Sequence, residues 1–181
     1  MHFLALIPAI LTLATSIVAL PTIDGPDGLY TTQLEADGSK TVIDFTPLAD
    51  ILNITDTTAI TTNPTGLQAR SAATHCESSN LNRNDLILAW RCMVDAFGGG
   101  YNTVDNSAVF CKKGGVVAYF CSYTAQTVSG QSFQDALTVI SLVRGGTQAG
   151  YQRCKNDCGT KDSTFGRNSN GLDFCWKGNA K

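Results

Sequence analysis

The run Val116-Val117-Ala118-Tyr119-Phe120-Cys121-Ser122-Tyr123 is β-branched and aromatic, with almost no polar alternation. A run of this kind predicts a strand too continuous to be exposed. Just before it, Lys112-Lys113-Gly114-Gly115 supplies turn chemistry, and Ser107 to Cys111 supplies a short apolar partner. Together they predict an antiparallel β-hairpin.

Two helices are expected on either side of this hairpin. Upstream, Leu86, Trp90, Met93 and Phe97 recur at spacings of four, three and four, which marks one helical face. Asn84 or Asp85 can cap its start, and Gly98-Gly99-Gly100 ends it. Downstream, Ser132 to Val143 carries Phe133, Ala136, Leu137, Ile140 and Val143 on one side. Ser132 and Asp135 fit a capping box there, and Gly145-Gly146 closes the helix. Gly150 to Cys154 and Leu172 to Trp176 read as further strands, separated by a polar, turn-rich stretch from Lys155 to Gly171. With a short strand or loop at Cys76, the order is β, α, β, β, α, β, β. The fold class expected is α+β: a small disulfide-stabilised sandwich with two helices packed on one face of an antiparallel sheet.

The chain divides into three parts. Residues 1–19 are apolar from Phe3 to Leu13 and end in small residues, which reads as a signal peptide cut after Ala19. That run is too short for a membrane span, so no transmembrane anchor is expected. Residues 20–70 hold no cysteine, four of the five prolines, and seven acidic residues against two basic ones. They read as a mostly extended pro-segment, ending at Leu67-Gln68-Ala69-Arg70, where a processing protease would cut after Arg70. The standard glycosylation sequon, at Asn53, falls in this segment. Thr41 to Phe45 is the stretch there that could be strand-like. Residues 71–181 form the cysteine-rich domain, with eleven basic and eight acidic residues. The opposite charges suggest that the pro-segment shields a basic surface until it is cleaved.

All seven cysteines lie in that domain, at 76, 92, 111, 121, 154, 158 and 175. Behind a secretion signal they imply a disulfide framework, with Cys76, Cys111, Cys121, Cys154, Cys158 and Cys175 as the candidates. Cys175 is expected to meet Cys154 or Cys158, and Cys76 to meet Cys121. Cys92, facing the core from a helix, is expected to be an unpaired, inert thiol. The odd count leaves a monomer with one free thiol or a disulfide dimer. Cys154-x₃-Cys158 lacks a second close pair, so no structural metal is expected.

Composition excludes several functions. With 43% hydrophobic and 15% charged residues and a net charge of −2, the chain is neither disordered nor built to bind nucleic acid. It contains no Gly-x-Ser-x-Gly, P-loop or paired-histidine motif, so no cofactor is expected. His75 and Glu77 could serve a ribonuclease with an arginine such as Arg153 or Arg167, but both flank a cysteine expected to be bridged. Aspartates including Asp157, Asp162 and Asp173 could serve a glycosidase, though such residues in turns usually bond their own backbone. Binding residues are more numerous. Lys112 and Lys113 at a hairpin tip, with Arg153, Lys155, Lys161, Arg167 and Lys177, could form a cationic face. Tyr101, Phe165 and Trp176 could supply aromatic contacts to sugars.

Cys76, a helix carrying Cys92, the run Tyr119-Phe120-Cys121-Ser122-Tyr123, Ser132 with Asp135, and Gly150-Tyr151 follow one another in order. Over residues 76–154 this order resembles fungal killer-toxin-like and necrosis-inducing effector domains. The tail with Cys154, Cys158 and Cys175 departs from that pattern. The resemblance implies an α/β sandwich and action on other cells outside the producer, and it carries over no catalytic residue. The expected protein is a secreted effector or toxin-like binder without catalysis, meeting a protein, lipid or glycan on a host or competitor surface. A wall- or glycan-binding protein and a secreted hydrolase or ribonuclease are the alternatives.

Overall fold

The computed structural model describes residues 24–52 and 74–175, apart from 38, 157, 159, 172 and 173. Ala19, Asn53, Arg70, Trp176 and Lys177 lie outside the described residues, with the expectations that rest on them.

In chain order the elements begin with β1 (Gly28–Leu34), β2 (Lys40–Pro47), α1 (Leu48–Ile51), β3 (Thr74–Asn80), α2 (Arg83–Phe97) and β4 (Tyr101–Thr103). The expected hairpin follows as β5 (Ser107–Lys113) and β6 (Val116–Ser122). After it come β7 (Gln126–Val128), α3 (Gly130–Arg144), β8 (Gln148–Cys154) and β9 (Ser163–Ser169). Seven strands form one sheet in the order β2-β1-β5-β6-β9-β8-β3, and β4 pairs with β7 in a small second ladder. Every one of these pairings is antiparallel. The molecule is thus a mostly antiparallel, disulfide-stabilised α+β fold.

β6 is central, and all seven of its residues are buried, as its unbroken apolar character predicts. The hairpin turn is only Gly114-Gly115, with Gly114 at φ +51°, where a side chain would be strained. Lys112 and Lys113 therefore belong to the strand and not to the turn.

Leu86, Trp90, Met93 and Phe97 are all buried on α2. Its cap is Asn82, not Asn84 or Asp85: the Asn82 side chain accepts from both of their backbone amides, at 2.9 and 3.1 Å. α3 starts earlier than its hydrophobic pattern, because Ser129 is the cap and accepts from the Ser132 amide at 3.1 Å. Gly130 opens α3 where a Cβ would collide with the Val94 carbonyl of α2, so a glycine lets the two helices approach closely.

Two apolar clusters divide the alternating side chains of the sheet. The larger joins Trp90, Met93 and Phe97 of α2 and Phe133, Leu137 and Ile140 of α3 to Val109, Cys111, Ala118, Phe120 and Phe165 of the strands. The second holds the intervening positions Tyr30, Phe110, Val117, Tyr119 and Cys121 with Phe174 and Cys175, and includes no residue of α2 or α3.

Two elements depart from the sequence expectation. β9 runs through the polar stretch read as turns, and Phe174 and Cys175, placed in an expected last strand, are not in one. β9 makes sense only in place, since Thr164, Arg167 and Asn168 are buried there between β6 and β8. The other is the segment read as extended and coreless. β1 places Tyr30 and Leu34 in the core at 5% and 2% exposure, and Thr32 donates from its buried hydroxyl to the Ala108 carbonyl at 3.2 Å. Its alternation is hidden because two threonines and a glutamine occupy the strand. Thr41 to Phe45 does lie in a strand, β2.

Three disulfides close the domain: Cys92–Cys111, Cys121–Cys175 and Cys154–Cys158. They overturn the expected pairings. Cys175 reaches Cys121 on β6, Cys154 and Cys158 bridge each other, and Cys92 ties α2 to β5 instead of standing free. Cys76 is the free cysteine among the described residues, exposed on edge strand β3.

Candidate ligand-contact surface

The antiparallel register aligns one row of positions across all seven strands. Phe45 pairs with Tyr30, Tyr30 with Phe110, Phe110 with Tyr119, Tyr119 with Gly166, Gly166 with Tyr151, and Tyr151 with His75. Six of the seven are aromatic or imidazole rings. Paired residues share a sheet face, so the rings line one side of the sheet. Tyr30 stacks on Phe110 with centroids 5.0 Å apart, and Phe45 tilts onto Tyr30 at 4.7 Å. Gly166 supplies the gap in the row, and a Cβ there would collide with the Tyr119 ring.

The C-terminal tail covers the middle of the row. Phe174 stacks on Tyr119 at 4.7 Å and meets Phe110 edge-on at 5.2 Å. The Cys121–Cys175 bridge pins it there.

The flank beyond Gly166 is more accessible. His75, exposed on β3, stacks on half-buried Tyr151 with centroids 4.8 Å apart and an interplanar angle of 20°. The Arg153 guanidinium lies 4.3 Å from the Tyr123 ring centroid, a cation–π arrangement. Arg153 also pairs with Asp162 at 2.7 Å, which orients the guanidinium, while its buried Nε has no hydrogen-bond partner. Burial pushes the Tyr123 phenol upward, with Asp162 and Tyr151 adding to the rise, while Thr164 and the Arg153 charge oppose it. The phenol therefore stays protonated at neutral pH.

Beside this flank, burial pushes the Glu77 carboxyl up, and the Asn168 side chain counters part of the rise. Glu77 Oε2 and Asn168 Nδ2 are both buried.

The binding residues expected from sequence fall in different places. Arg153 lies on the flank. Arg167 is fully buried and cannot belong to a cationic face. Its Nε donates to Gln148 O at 2.8 Å, Nη1 to Ser141 Oγ at 2.7 Å and Nη2 to Gly145 O at 2.9 Å. Burial draws its pKa down to about 10, so it stays charged at neutral pH. Lys112 and Lys113 do not project from a tip either. Lys112 Nζ donates to Gly25 O at 2.6 Å, and Lys113 Nζ pairs with Asp27 at 2.8 Å. Of the expected sugar-binding rings, Phe165 is fully buried, and Tyr101 rests 5.2 Å from Phe97 with its hydroxyl 3.0 Å from Thr31. Sequence reading missed Tyr123 and Tyr151 as contact residues. The usable signal was period-2 spacing of Tyr119, Cys121 and Tyr123, which puts their side chains on one face.

Asp27 also receives the Gly114 amide at 2.8 Å and lies 3.8 Å from Lys112. Burial alone would raise its pKa, but the Lys113 hydrogen bond, the Gly114 amide and the charges of Lys113 and Lys112 hold it below the usual range. A depressed carboxyl contributes stability that is present above its unfolded value and lost as pH falls through the folded one. Denaturant unfolding should therefore show stability falling on acidification below about pH 4, and less steeply in Asp27→Asn. Identical acid limbs for the two proteins would refute this assignment.

Among the described residues no group of three or more His, Cys, Asp or Glu is placed to hold a metal ion. No helix among them is long and apolar enough to cross a membrane. No known protein family, curated protein or solved structure matches this chain.

Proposed function

We propose that this is a secreted protein of effector or toxin-like type, acting on a host or competing cell by binding and not by catalysis. In this reading α2 and α3 pack on one face of the sheet, and the opposite face serves contact. The single observation that carries the reading is the flank formed by His75, Tyr151, Tyr123 and Arg153. It presents a stacked ring pair and an aromatic-backed guanidinium on one side of the sheet. Groups held on paired strands lose little entropy when they meet a ligand.

The test applies the oxidised protein to plant leaf tissue and to competing yeast cells, with reduced and heat-denatured samples as controls. The native protein alone should cause death or growth arrest. Tyr151→Ala with Arg153→Gln should weaken the response at least tenfold, because loss of the ring and cation contacts removes about 1.5 kcal/mol or more of binding. Far-UV circular dichroism should be unchanged. A full response from the double variant would remove this flank from the function.

The stacked His75–Tyr151 pair also favours the glycan-binding reading, since sugar rings pack on aromatic faces. That reading predicts retention on chitin or β-glucan, lost in Tyr151→Ala. No retention of the unaltered protein would dismiss it.

A further inference from the structure

β1 and β2 enter the fold from outside the disulfide framework. β1 pairs with β5 along six consecutive register positions, from Gly28 opposite Lys112 to Gln33 opposite Ser107. β2 then pairs with the outer edge of β1. Tyr30 is buried against Phe110, and Leu34 is 2% exposed. At the start of β1, three groups of the β5–β6 hairpin hold the incoming chain. Lys113 Nζ and Gly114 N reach the Asp27 carboxylate, and Lys112 Nζ reaches the Gly25 carbonyl. Yet residues 20–70 contain no cysteine, and all three bridges lie among residues 92–175. Apart from the peptide chain through residues 53–73, only non-covalent contacts join the β1–β2 pair to the rest.

We propose that the β5 edge, with Lys112, Lys113 and the Gly114 amide at its end, is a receptor site for an acidic extended strand. Its resident occupant is residues 24–52 of the same chain, which stay bound as a separate chain when the connection through residues 53–73 is cut. Processing after Arg70 then yields a two-chain protein and not a stripped domain. The recognition chemistry is that of strand addition. Backbone pairing along β5 provides affinity, the Tyr30 site provides an aromatic anchor, and Asp27 fixes register against two lysines and an amide. Losing the segment would expose the unpaired edge of β5 and the Phe110 ring, a state prone to aggregation. The site is distinct from the contact surface above, whose His75, Tyr151 and Arg153 lie on β3 and β8 at the other end of the sheet.

The experiment uses the full oxidised chain with a site for a highly specific protease placed within residues 60–66. After cutting, native mass spectrometry and size exclusion at micromolar concentration should show one complex containing both fragments. Denaturing electrophoresis without reductant should show two. A fluorescent peptide of residues 24–52 should then exchange into the cut protein, and the same peptide with Asp27→Asn should compete at least tenfold more weakly. Loss of the N-terminal fragment under native conditions overturns the proposal. Equal competition by the two peptides overturns the role of Asp27 as the register anchor. Neither readout depends on a cell assay, so failure here and failure of the proposed function can be told apart.

Discussion

Arg167→Ala should destabilise the protein by about 2–4 kcal/mol, because hydrogen bonds to a charged group contribute about 1.5–3 kcal/mol each and a cavity is left behind, offset in part by no longer burying a charge. Arg167 is fully buried on β9, and its three donors reach Gln148 O, Ser141 Oγ and Gly145 O. The guanidinium thus joins the C-terminal end of α3 to the start of β8. Removing it leaves those acceptors without their donor and opens a cavity the size of the lost side chain. A domain stabilised by about 5–15 kcal/mol would lose a large part of its margin. Urea unfolding of the oxidised protein should show the midpoint shifted strongly downward with little change in slope. Arg167→Lys should recover only part of the loss, because one ammonium cannot span three diverging acceptors. A cost below about 1 kcal/mol for the alanine variant would mean that the buried network contributes little net stability.

The second large effect concerns the bridge that ties down the tail. Cys121 and Cys175 are separated by 54 residues, whereas Cys154 and Cys158 are separated by four. In the chain-entropy account, the longer closure restrains the unfolded state more. Replacing Cys121 and Cys175 by alanine should cost about 4 kcal/mol, and replacing Cys154 and Cys158 about 2 kcal/mol. The first pair also frees Phe174 from its stack on Tyr119 and its edge contact with Phe110. Binding of a hydrophobic dye should therefore rise in the Cys121→Ala, Cys175→Ala variant and stay low in the other. Equal losses from the two double variants would contradict this ordering.

The parts of the fold legible in the amino-acid order are those whose signals are local. β5 and β6 follow from an apolar run beside a glycine pair, and α2 from four apolar residues on one helical face. Such patterns survive because side-chain period is set by the backbone within a few residues. The odd cysteine count likewise dictated at least one thiol without a partner in its own chain. Cap positions shifted by two or three residues, since Asn82 and Ser129 act through amides that only the built helix presents.

Features that depend on neighbours distant along the chain emerged only once the sheet was assembled. β9 carries Thr164, Arg167 and Asn168 in buried positions, and nothing in a polar stretch announces a strand whose partners satisfy it. β1 became part of the core because β5 offered an open edge, although its composition resembles a solvated segment. Disulfide pairing depends on which Cβ atoms meet after the sheet has closed, so Cys121–Cys175 and Cys92–Cys111 could not be read from spacing. The contact flank has the same origin. His75 lies on β3, Tyr151 and Arg153 on β8, and Tyr123 one residue past the end of β6, and the order of these strands in the sheet differs from their order in the chain. Only the antiparallel register brings their rings and charges onto one surface.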